Sequence, residues 1–239
     1  MTATEKRALI TGASSGIGKA TALAFAKAGI NLALVSRSPE KLEAVASAAR
    51  QAGVEAQVYL LDLAEIERVQ EKIGAIAADG AIDILVNNAG MGYTNTLRET
   101  PLSDWLTVIN LNLTAVFQCT LGILPSMRDR GSGTIINIAS IAGQTPFPNW
   151  GAYSVSKAGL IALSKTLAAE ERDRGIRVTA ICPGSVNTQL WDTETVNLNF
   201  ERSTMLTPET VAQSILYTAL LPEQAVVEEL TLMPSAGVL

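Results

Sequence analysis

Tyr153 and Lys157 are the two side chains of this sequence best suited to move a proton together. They lie four positions apart in a segment of helical period, so both project from one face of a helix, one turn apart. Tyrosine has a reference pKa of about 10, but an adjacent ammonium favours its phenolate. The sequence has no histidine, so acid–base work falls to Tyr, Lys, Asp or Glu. A Tyr/Lys pair on a helix is ordinarily only a surface feature, yet Ser140, at the end of a predicted strand, favours a catalytic role.

A glycine-rich segment, Thr11 to Gly18, follows the first predicted strand and opens the first predicted helix. Its backbone N–H groups and the helix dipole could hold a pyrophosphate, and glycine lets the backbone approach the phosphates. The spacing is G-x-x-x-G-x-G, and a lone cluster of this kind can also be a simple tight turn. Asp62 and Asn87-Asn88-Ala89-Gly90 follow two further predicted strands, on the rim where adenine and ribose would lie. Together these segments predict a dinucleotide site.

The elements that must position these residues alternate between strands and helices along the chain, which predicts a single α/β domain over residues 1–239. With right-handed crossovers, this order predicts a Rossmann-like, doubly wound fold in which a seven-stranded parallel sheet has helices on both faces. The ligand site of such a fold lies at the carboxyl ends of the strands. The predicted strands are Ala8–Ile10, Leu32–Ser36, Gln57–Leu61, Ile84–Asn87, Thr134–Ile138, Arg177–Cys182 and Glu229–Met233. The predicted helices are Gly16–Ala28, Pro39–Gln51, Glu65–Ala78, Ser103–Arg130, Tyr153–Arg174 and Pro208–Leu221.

Charge and composition argue against several classes of function. The net charge is -5 and no basic cluster exceeds Lys6-Arg7, so neither nucleic-acid binding nor membrane binding is expected. No uninterrupted apolar run reaches the roughly 18 residues of a membrane span. Cys119 and Cys182 lack metal-ligand spacing, so we expect no metal site, and their small number suits the cytoplasm.

Through the motifs TGASSGIG, NNAG, YSVSK and CPGSVNT, and a serine after the fifth strand, the chain resembles the short-chain dehydrogenase/reductase family over nearly its whole length. The resemblance implies an oxidoreductase, a carbonyl reductase or alcohol dehydrogenase, that transfers hydride between a nicotinamide and a ketone or secondary alcohol. Ser140 would hydrogen-bond the substrate oxygen, and Tyr153 would exchange a proton with it. Lys157 would hold the nicotinamide ribose. The side chain of Asn112 would hold a water that connects Lys157 to solvent, and Asn110 is the competing assignment.

The end of the second predicted strand decides the cofactor, because enzymes that use NAD place an acidic residue there. This sequence has Ser36-Arg37, a neutral donor and a guanidinium fork suited to a phosphate, which predicts NADP(H). Together with what the resemblance implies for the segment after the sixth strand, the expected cofactor-binding residues are Gly12, Ser14, Ser15, Gly16, Ile17, Gly18, Ser36, Arg37, Asp62, Leu63, Asn88, Ala89, Gly90, Tyr153, Lys157, Pro183, Gly184, Val186 and Thr188.

Loops near the proposed site carry the expectations about substrate. The segment 190–206 is polar and without clear period, so it is either a lid over the site or a tolerated surface loop. Apolar loop side chains predict a hydrophobic or aryl ketone, and they come from Pro146, Phe147, Pro148, Trp150, Met91, Tyr93, Leu190 and Trp191.

Two other functions compete with this one. Within the family the alternative is 3-oxoacyl-carrier-protein reductase, for which Arg128, Arg130, Arg172 and Arg174 could dock an acidic carrier, although the C-terminal segment 233–237 departs from the pattern of such reductases. From another class, the chain could be a cofactor-binding regulator without turnover. The helix from Tyr153 is apolar nearly all round in its first half, and the resemblance implies a homodimer or homotetramer built on this helix and the preceding long one.

Overall fold

The fold is given by a computed structural model that describes residues 6–197 and 201–237. Within those residues seven parallel strands form one sheet in the order β3-β2-β1-β4-β5-β6-β7. The predicted seven-stranded parallel sheet is therefore confirmed. The strands are β1 Arg7–Thr11, β2 Asn31–Ser36, β3 Ala56–Leu60, β4 Ile84–Asn87, β5 Gly133–Ile138, β6 Ile176–Pro183 and β7 Glu229–Leu232.

Helices cover both faces of this sheet, because successive strand residues point to opposite sides and both sides are apolar. Ile10 and its neighbours bury one core against α1, α2 and α7, whereas Leu9 and its neighbours bury a second core against α3, α5 and α6. The helices are α1 Gly16–Lys27, α2 Pro39–Gln51, α3 Ile66–Asp79, α4 Leu102–Ile109, α5 Ala115–Arg130, α6 Gly151–Glu171 and α7 Pro208–Ala219.

The strand order reverses between β1 and β4. From β1 the chain builds outward through β2 to β3, then crosses back so that β4 pairs with the other side of β1. The loops that leave β1 and β4 therefore diverge, and they open a crevice at the carboxyl ends of the two strands. The glycine-rich segment and Asn88-Ala89-Gly90 both lie at this crevice.

One helix that the sequence predicts as continuous is interrupted in the structure. The stretch predicted as a single helix, Ser103–Arg130, consists of α4 and α5 joined by a π-helical turn, Asn110–Thr114. A π turn holds one extra residue, which the apolar period of the sequence does not register. At the other end of the site, α6 begins two residues before Tyr153, at Gly151, and ends at Glu171 in a short 3-10 turn.

The stretch Leu102–Arg130 is long and apolar enough to cross a membrane by length and composition alone. Nevertheless 44% of its most apolar window is buried inside the protein. Cys119, Ile123 and Met127 are fully enclosed, in the core that this stretch shares with α3 and the sheet. These are the contacts of a core helix.

Candidate active site

The glycine-rich loop after β1 forms a cradle that side chains would fill. Gly12 has a φ of +65°, and a Cβ there would lie 2.9 Å from both the Cα of Ala89 and the Nδ2 of Asn88. A Cβ on Gly18, in the first turn of α1, would run into the carbonyl oxygen of Gly12 and lie 2.5 Å from Asn88 Nδ2. The loop thus keeps its backbone bare at the start of a helix, which is the arrangement that admits a phosphate.

The loop after β4 holds that cradle in place. Asn88 Nδ2 donates to the carbonyl oxygens of Thr11 at 2.9 Å and Gly12 at 3.3 Å. In return, the Thr11 hydroxyl accepts the backbone N–H groups of Asn88 at 3.0 Å and Ala89 at 3.1 Å. The amide of Asn88 is therefore turned into the glycine loop, and its main work is to brace that loop.

A groove of about 980 Å³ runs from the end of β2, past the glycine loop, to Lys157. Gly18 and Gly184 are the two expected cofactor residues that do not line it: Gly18 is buried under the loop, and Gly184 borders a separate cavity. The expected residues that do line the groove are Gly12, Ser14, Ser15, Gly16, Ile17, Ser36, Arg37, Asp62, Leu63, Asn88, Ala89, Gly90, Tyr153, Lys157, Pro183, Val186 and Thr188.

The β2 end of the groove carries two cations. Arg37 lies 3.8 Å from the carboxylate of Asp62, and its side chain is 70% exposed, so the guanidinium is free to move. Lys41, in the first turns of α2, lines the same end of the groove. The sequence analysis missed Lys41, although its position four residues beyond Arg37, across the start of α2, could have identified it.

Ser36 does not offer the free hydroxyl expected of it. It is buried, donates to the Ser14 hydroxyl at 2.8 Å and accepts the Ser38 N–H at 3.2 Å. Because Ser14 accepts this bond, its own hydroxyl hydrogen is left to face the groove. The neutral donor at this end is Ser14, and Ser36 orients it.

Ser140, Tyr153 and Lys157 come together at the carboxyl end of β5. Ser140 caps a 3-10 turn by accepting the Ala142 N–H at 3.1 Å, and its hydroxyl hydrogen-bonds the Tyr153 phenol. Lys157, one turn further along α6, donates to the carbonyl of Ile138 at 2.8 Å. Its Nζ lies 5.8 Å from the centroid of the Tyr153 ring. The spacing that predicted a shared site thus produces one.

Burial dominates the electrostatics of this pair. It raises the pKa of Tyr153, and the hydrogen bond with Ser140 offsets that only in part. Burial also lowers the pKa of Lys157 to about 8. The sequence analysis expected an adjacent ammonium to favour the phenolate, whereas in the structure burial has the larger effect, so the protein's own residues favour the neutral phenol. A neutral phenol is the form that can donate a proton.

Asn112 joins the β4 loop to α6 beside Lys157. It donates to the Met91 carbonyl at 2.9 Å and to the Ser156 hydroxyl at 3.1 Å, and it accepts the Met91 N–H at 2.8 Å. Both amide hydrogens of this fully buried side chain are thus bonded within the protein, and its role in holding a water stays a prediction. Asn110, the competing assignment, lines the groove instead.

A second cavity of about 300 Å³ opens on the other side of the Ser140–Tyr153 pair. Among the described residues its lining contains no charged side chain. Three residues expected here do not line it: Tyr93 packs against Val108 and Ala152, Met91 lines the groove instead, and Pro146 lies outside the lining. The lining residues are Ser140, Ile141, Ala142, Phe147, Pro148, Asn149, Trp150, Tyr153, Gly184, Ser185, Leu190, Trp191 and Met233.

Comparison with known proteins agrees with this geometry. Residues 6–198 match the sequence profile described as short chain dehydrogenase. The chain belongs to this family. It is therefore an oxidoreductase that acts on CH–OH and C=O groups.

Several relatives of this short-chain dehydrogenase are similar over their full length. A 3-oxoacyl-[acyl-carrier-protein] reductase of Synechocystis is 38% identical over 243 residues, 98% of this chain and 97% of that protein. The reductase of the same name from Thermotoga maritima is 36% identical over 90% of each chain. An alcohol dehydrogenase from the archaeon Thermococcus sibiricus, complexed with 5-hydroxy-NADP, has a TM-score of 0.88 at 32% identity, over 96% of this chain and 97% of that one. A metagenomic short-chain oxidoreductase in complex with NADP has a TM-score of 0.85 at 30% identity, over 98% and 99%.

In this dehydrogenase the start of segment 190–206 forms one wall of the groove, which Leu190 to Thr195 line. Thr195 connects it to the loop after β4. Its hydroxyl donates to the Gly92 carbonyl at 2.7 Å, and its backbone carbonyl accepts the Thr94 N–H at 2.9 Å. Asp192 and Arg202 form an ion pair at 2.6 Å. Residues 198–200 of this segment lie outside the described residues. The placement suits a lid, and its movement stays a prediction.

The four arginines considered for carrier docking lie far from the site of their own chain. Tyr153 is in the first turn of α6, whereas Arg172 and Arg174 follow its last turn, about 30 Å away along the helix axis. Arg128 binds the buried carboxylate of Glu171, and Arg172 binds Glu228 at 3.0 Å. Arg130 donates to the Ile82 carbonyl at 2.6 Å. They are engaged in holding the ends of α5 and α6.

Lys157→Met should make the dehydrogenase more stable at pH 7 while it removes activity. Burial lowers the pKa of Lys157 from 10.5 to about 8, so below pH 8 the folded protein bears the full cost of a buried charge. That cost is relieved as the pH rises from 8 to 10.5, because the unfolded chain then binds the extra proton. After allowing for the lost hydrogen bond to Ile138, we expect a gain of about 1–2 kcal/mol at pH 7.

Denaturant unfolding of both proteins between pH 7 and pH 10.5 measures this difference, which should shrink toward zero at the upper end. Lys165→Met is the matched control on the same helix, because Lys165 is 62% exposed and pairs with Glu229. A Lys157→Met protein that is less stable than the wild type at pH 7 would contradict the assignment of a costly buried charge.

Gly18→Ala should abolish cofactor binding and destabilise the fold, because the new methyl group would displace the Gly12 carbonyl and the Asn88 amide. The matched control is Gly74→Ala in α3, where a Cβ would make only an ordinary contact at 3.6 Å. Alanine there should be neutral or slightly stabilising, since it favours a helix over glycine. Calorimetric titration with NADPH and thermal unfolding distinguish the two variants, and equal behaviour would contradict the cradle.

Proposed function

We propose that the chain is an NADP(H)-dependent oxidoreductase that transfers hydride between the nicotinamide and a hydrophobic ketone or secondary alcohol. One observation carries the proposal: Ser140 and Tyr153, which hydrogen-bond each other, both line the long groove and the apolar cavity. A cofactor in the groove and a carbonyl compound in the cavity would meet at these two hydroxyls.

The chain's own residues supply the binding and the proton. The glycine loop, whose backbone lines the groove at Gly12 and Gly16, accommodates the pyrophosphate, and Lys157, at the inner end of the groove, can hydrogen-bond a ribose hydroxyl. A bound nicotinamide supplies or accepts the hydride. Ser140 orients the carbonyl oxygen through its hydroxyl, and Tyr153 donates its phenolic proton to that oxygen during reduction. Burial keeps Tyr153 protonated until then, because it raises the pKa of the phenol.

The preference for NADP(H) is supported by the two cations at the β2 end of the groove. Arg37 can turn from Asp62 to grip a 2′-phosphate with two N–H groups, and Lys41 adds a second positive charge. β2 ends at Ser36 and Arg37 follows it, so the acidic residue that enzymes using NAD place at this strand end is replaced by neutral and basic residues. Two of the similar structures were solved with NADP or 5-hydroxy-NADP.

A 3-oxoacyl-carrier-protein reductase is the second candidate, favoured by the names of relatives at 36–40% identity. The aromatic lining of the cavity favours a free hydrophobic ketone instead. Purified protein should be assayed for NADPH oxidation with a panel of ketones and with a 3-oxoacyl chain on its carrier protein. Higher kcat/KM for the free ketones supports the proposal, and preference for the carrier-linked substrate overturns this substrate class. A protein that binds NADPH but turns over neither would overturn both substrate classes.

We also propose that the protein is a homotetramer. The described part of the chain exposes two separate apolar faces, and a closed tetramer with dihedral symmetry needs two different interfaces. The first face, on α4, α5 and α6, consists of Leu102, Leu106, Phe117 and Val155. The second, near α7 and β7, consists of Tyr217, Leu220 and Val226.

Phe117→Asp should therefore convert the tetramer into a dimer, because it places a charge in the first face. Tyr217→Asp should do the same through the second face, and the double variant should be a monomer. Light scattering at micromolar concentration gives the masses. Leu60→Asp, at an exposed position on the edge strand β3, is the control and should remain a tetramer. A monomeric wild type would refute the proposal.

The cytoplasmic location expected from the sequence also stays a proposal. The two cysteines, Cys119 and Cys182, are free and buried, which suits a reducing compartment. Separating a cell lysate into fractions and locating the protein by immunoblot tests it, and recovery with a membrane fraction would contradict it.

A further inference from the structure

Three aromatic rings, those of Tyr153, Trp150 and Trp191, contact one another in series and connect the catalytic phenol with the 190–206 segment. The rings of Tyr153 and Trp150 meet edge to face, with centroids 5.2 Å apart and planes at 63°. Trp150 meets Trp191 in the same way, at 5.9 Å and 76°. Both indoles line the apolar cavity beside Ser140 and Tyr153. A substrate in that cavity would therefore sit against aromatic rings on the side nearest its carbonyl group.

Trp150 is held firmly in this position. It precedes the first residue of α6 and is only 9% exposed. Asn149 before it has a φ of +67°, the only positive φ among the non-glycine residues that the structure describes. The Asn149 carbonyl accepts the Asn95 N–H at 2.8 Å, which fixes the bend. Asparagine tolerates this conformation better than most residues, so the sequence itself favours the turn that directs Trp150 toward Tyr153.

Trp191 is fixed from the other side, by a hydrogen bond from its Nε1 to the Val186 carbonyl at 2.8 Å. The two indoles thus form a corner whose planes are nearly perpendicular. Aromatic rings prefer edge-to-face or offset contacts with one another, and a saturated ring of similar size cannot make them. Among the residues that the structure describes, the lining contains no charged side chain that would favour a carboxylate or a phosphate ester in the cavity.

We propose that Trp150 is a specificity-determining residue that selects ketones with an aromatic ring on the carbonyl carbon. This inference rests on the proposed function, since it names the substrate class of the same site. The aromatic contact favours the aryl compound over a saturated ring by about two- to ten-fold in kcat/KM, beyond what burial of the ring contributes.

The test compares two ketones that differ in aromaticity and little in size: phenyl methyl ketone and cyclohexyl methyl ketone. Intrinsic reactivity differs between them, so the quantity of interest is the ratio of their kcat/KM values with NADPH, compared between variants. Trp150→Leu should lower this ratio about two- to ten-fold, and Trp150→Phe should retain most of it. A loss shared by both ketones reflects the packing of Tyr153 and leaves the ratio unchanged. Trp105→Leu is the control, because Trp105 packs outside the cavity, against Tyr93 and Val108.

Each outcome decides the inference. An unchanged ratio in folded Trp150→Leu protein overturns it, while turnover of both ketones leaves the proposed function standing. If that variant does not fold, Trp191→Leu on the more exposed side of the corner replaces it, and the same fall in ratio is expected. A wild type that reduces neither ketone overturns the inference together with the proposed substrate class. Equal loss of the ratio in Trp105→Leu also overturns it, because the effect would then not come from the corner.

Discussion

Tyr153→Phe should lower kcat by about 100- to 10,000-fold while NADPH binds nearly as well as before. Phenylalanine keeps the ring that packs against Trp150 and loses only the proton that the substrate oxygen would receive. It also removes the partner of the Ser140 hydroxyl, which stays free to hold the substrate. Steady-state kinetics at saturating cofactor measure kcat, and fluorescence titration with NADPH measures binding.

The matched control is Tyr217→Phe, because Tyr217 is 62% exposed on α7 and distant from the groove. It should retain wild-type kcat. Near wild-type turnover by Tyr153→Phe would remove Tyr153 from the chemistry. A large loss of NADPH affinity in the same variant would instead give the phenol a role in cofactor binding.

Arg37→Ala should lower kcat/KM for NADPH by about 10- to 100-fold and leave the value for NADH almost unchanged, because charge-assisted hydrogen bonds to the 2′-phosphate are lost. Adding Ser36→Asp should raise the value for NADH. A carboxylate there can accept the ribose hydroxyls and repels a phosphate, and the Ser14 hydroxyl 2.8 Å from Ser36 Oγ can hold it in place.

Initial rates with both cofactors, at low and high salt, measure the effect, and NADH serves as the internal reference since it lacks the phosphate. Lys41→Ala should show the same direction with a smaller loss. Arg98→Ala, exposed and outside the groove lining, should change neither value. A wild type that already uses NADH better, or equal losses for both cofactors in Arg37→Ala, would overturn the NADP(H) assignment.

The grouping of Ser140, Tyr153 and Lys157 was predictable from the sequence because it depends on local spacing. Tyr153 and Lys157 share a helix face by periodicity alone, and Ser140 had to follow a buried strand. Parallel strands end at one edge of the sheet, so their carboxyl ends had to bring these elements together. The same reasoning placed nearly all the residues expected in the cofactor groove.

What the sequence could not predict depends on which atom each polar side chain finds. Asn112 and Asn88 were assigned to water and ligand, but in the fold both bond to backbone groups of neighbouring loops. Ser36 likewise gives its hydrogen to Ser14. Burial, which raises the pKa of Tyr153 against the effect of the Ser140 hydrogen bond, is also a property of the assembled core and not of the spacing. Hydrogen bonds between residues so far apart in the chain do not show in the periodicity of the sequence.

The bond from Asn88 to the Thr11 carbonyl has a consequence for the order in which the chain matures. It joins residues 77 positions apart, and the paired residues of β1 and β4, such as Ala8 and Ile84, are 76 positions apart. Closing so long a loop is slow compared with forming a helix or a local turn. A nascent chain that has made β1, α1 and β2 therefore contains all the glycines of the nucleotide loop but not the brace that shapes them. The chain can bind a dinucleotide only after β4 has paired with β1. Added cofactor should therefore favour the late folding steps and leave the earliest ones unchanged.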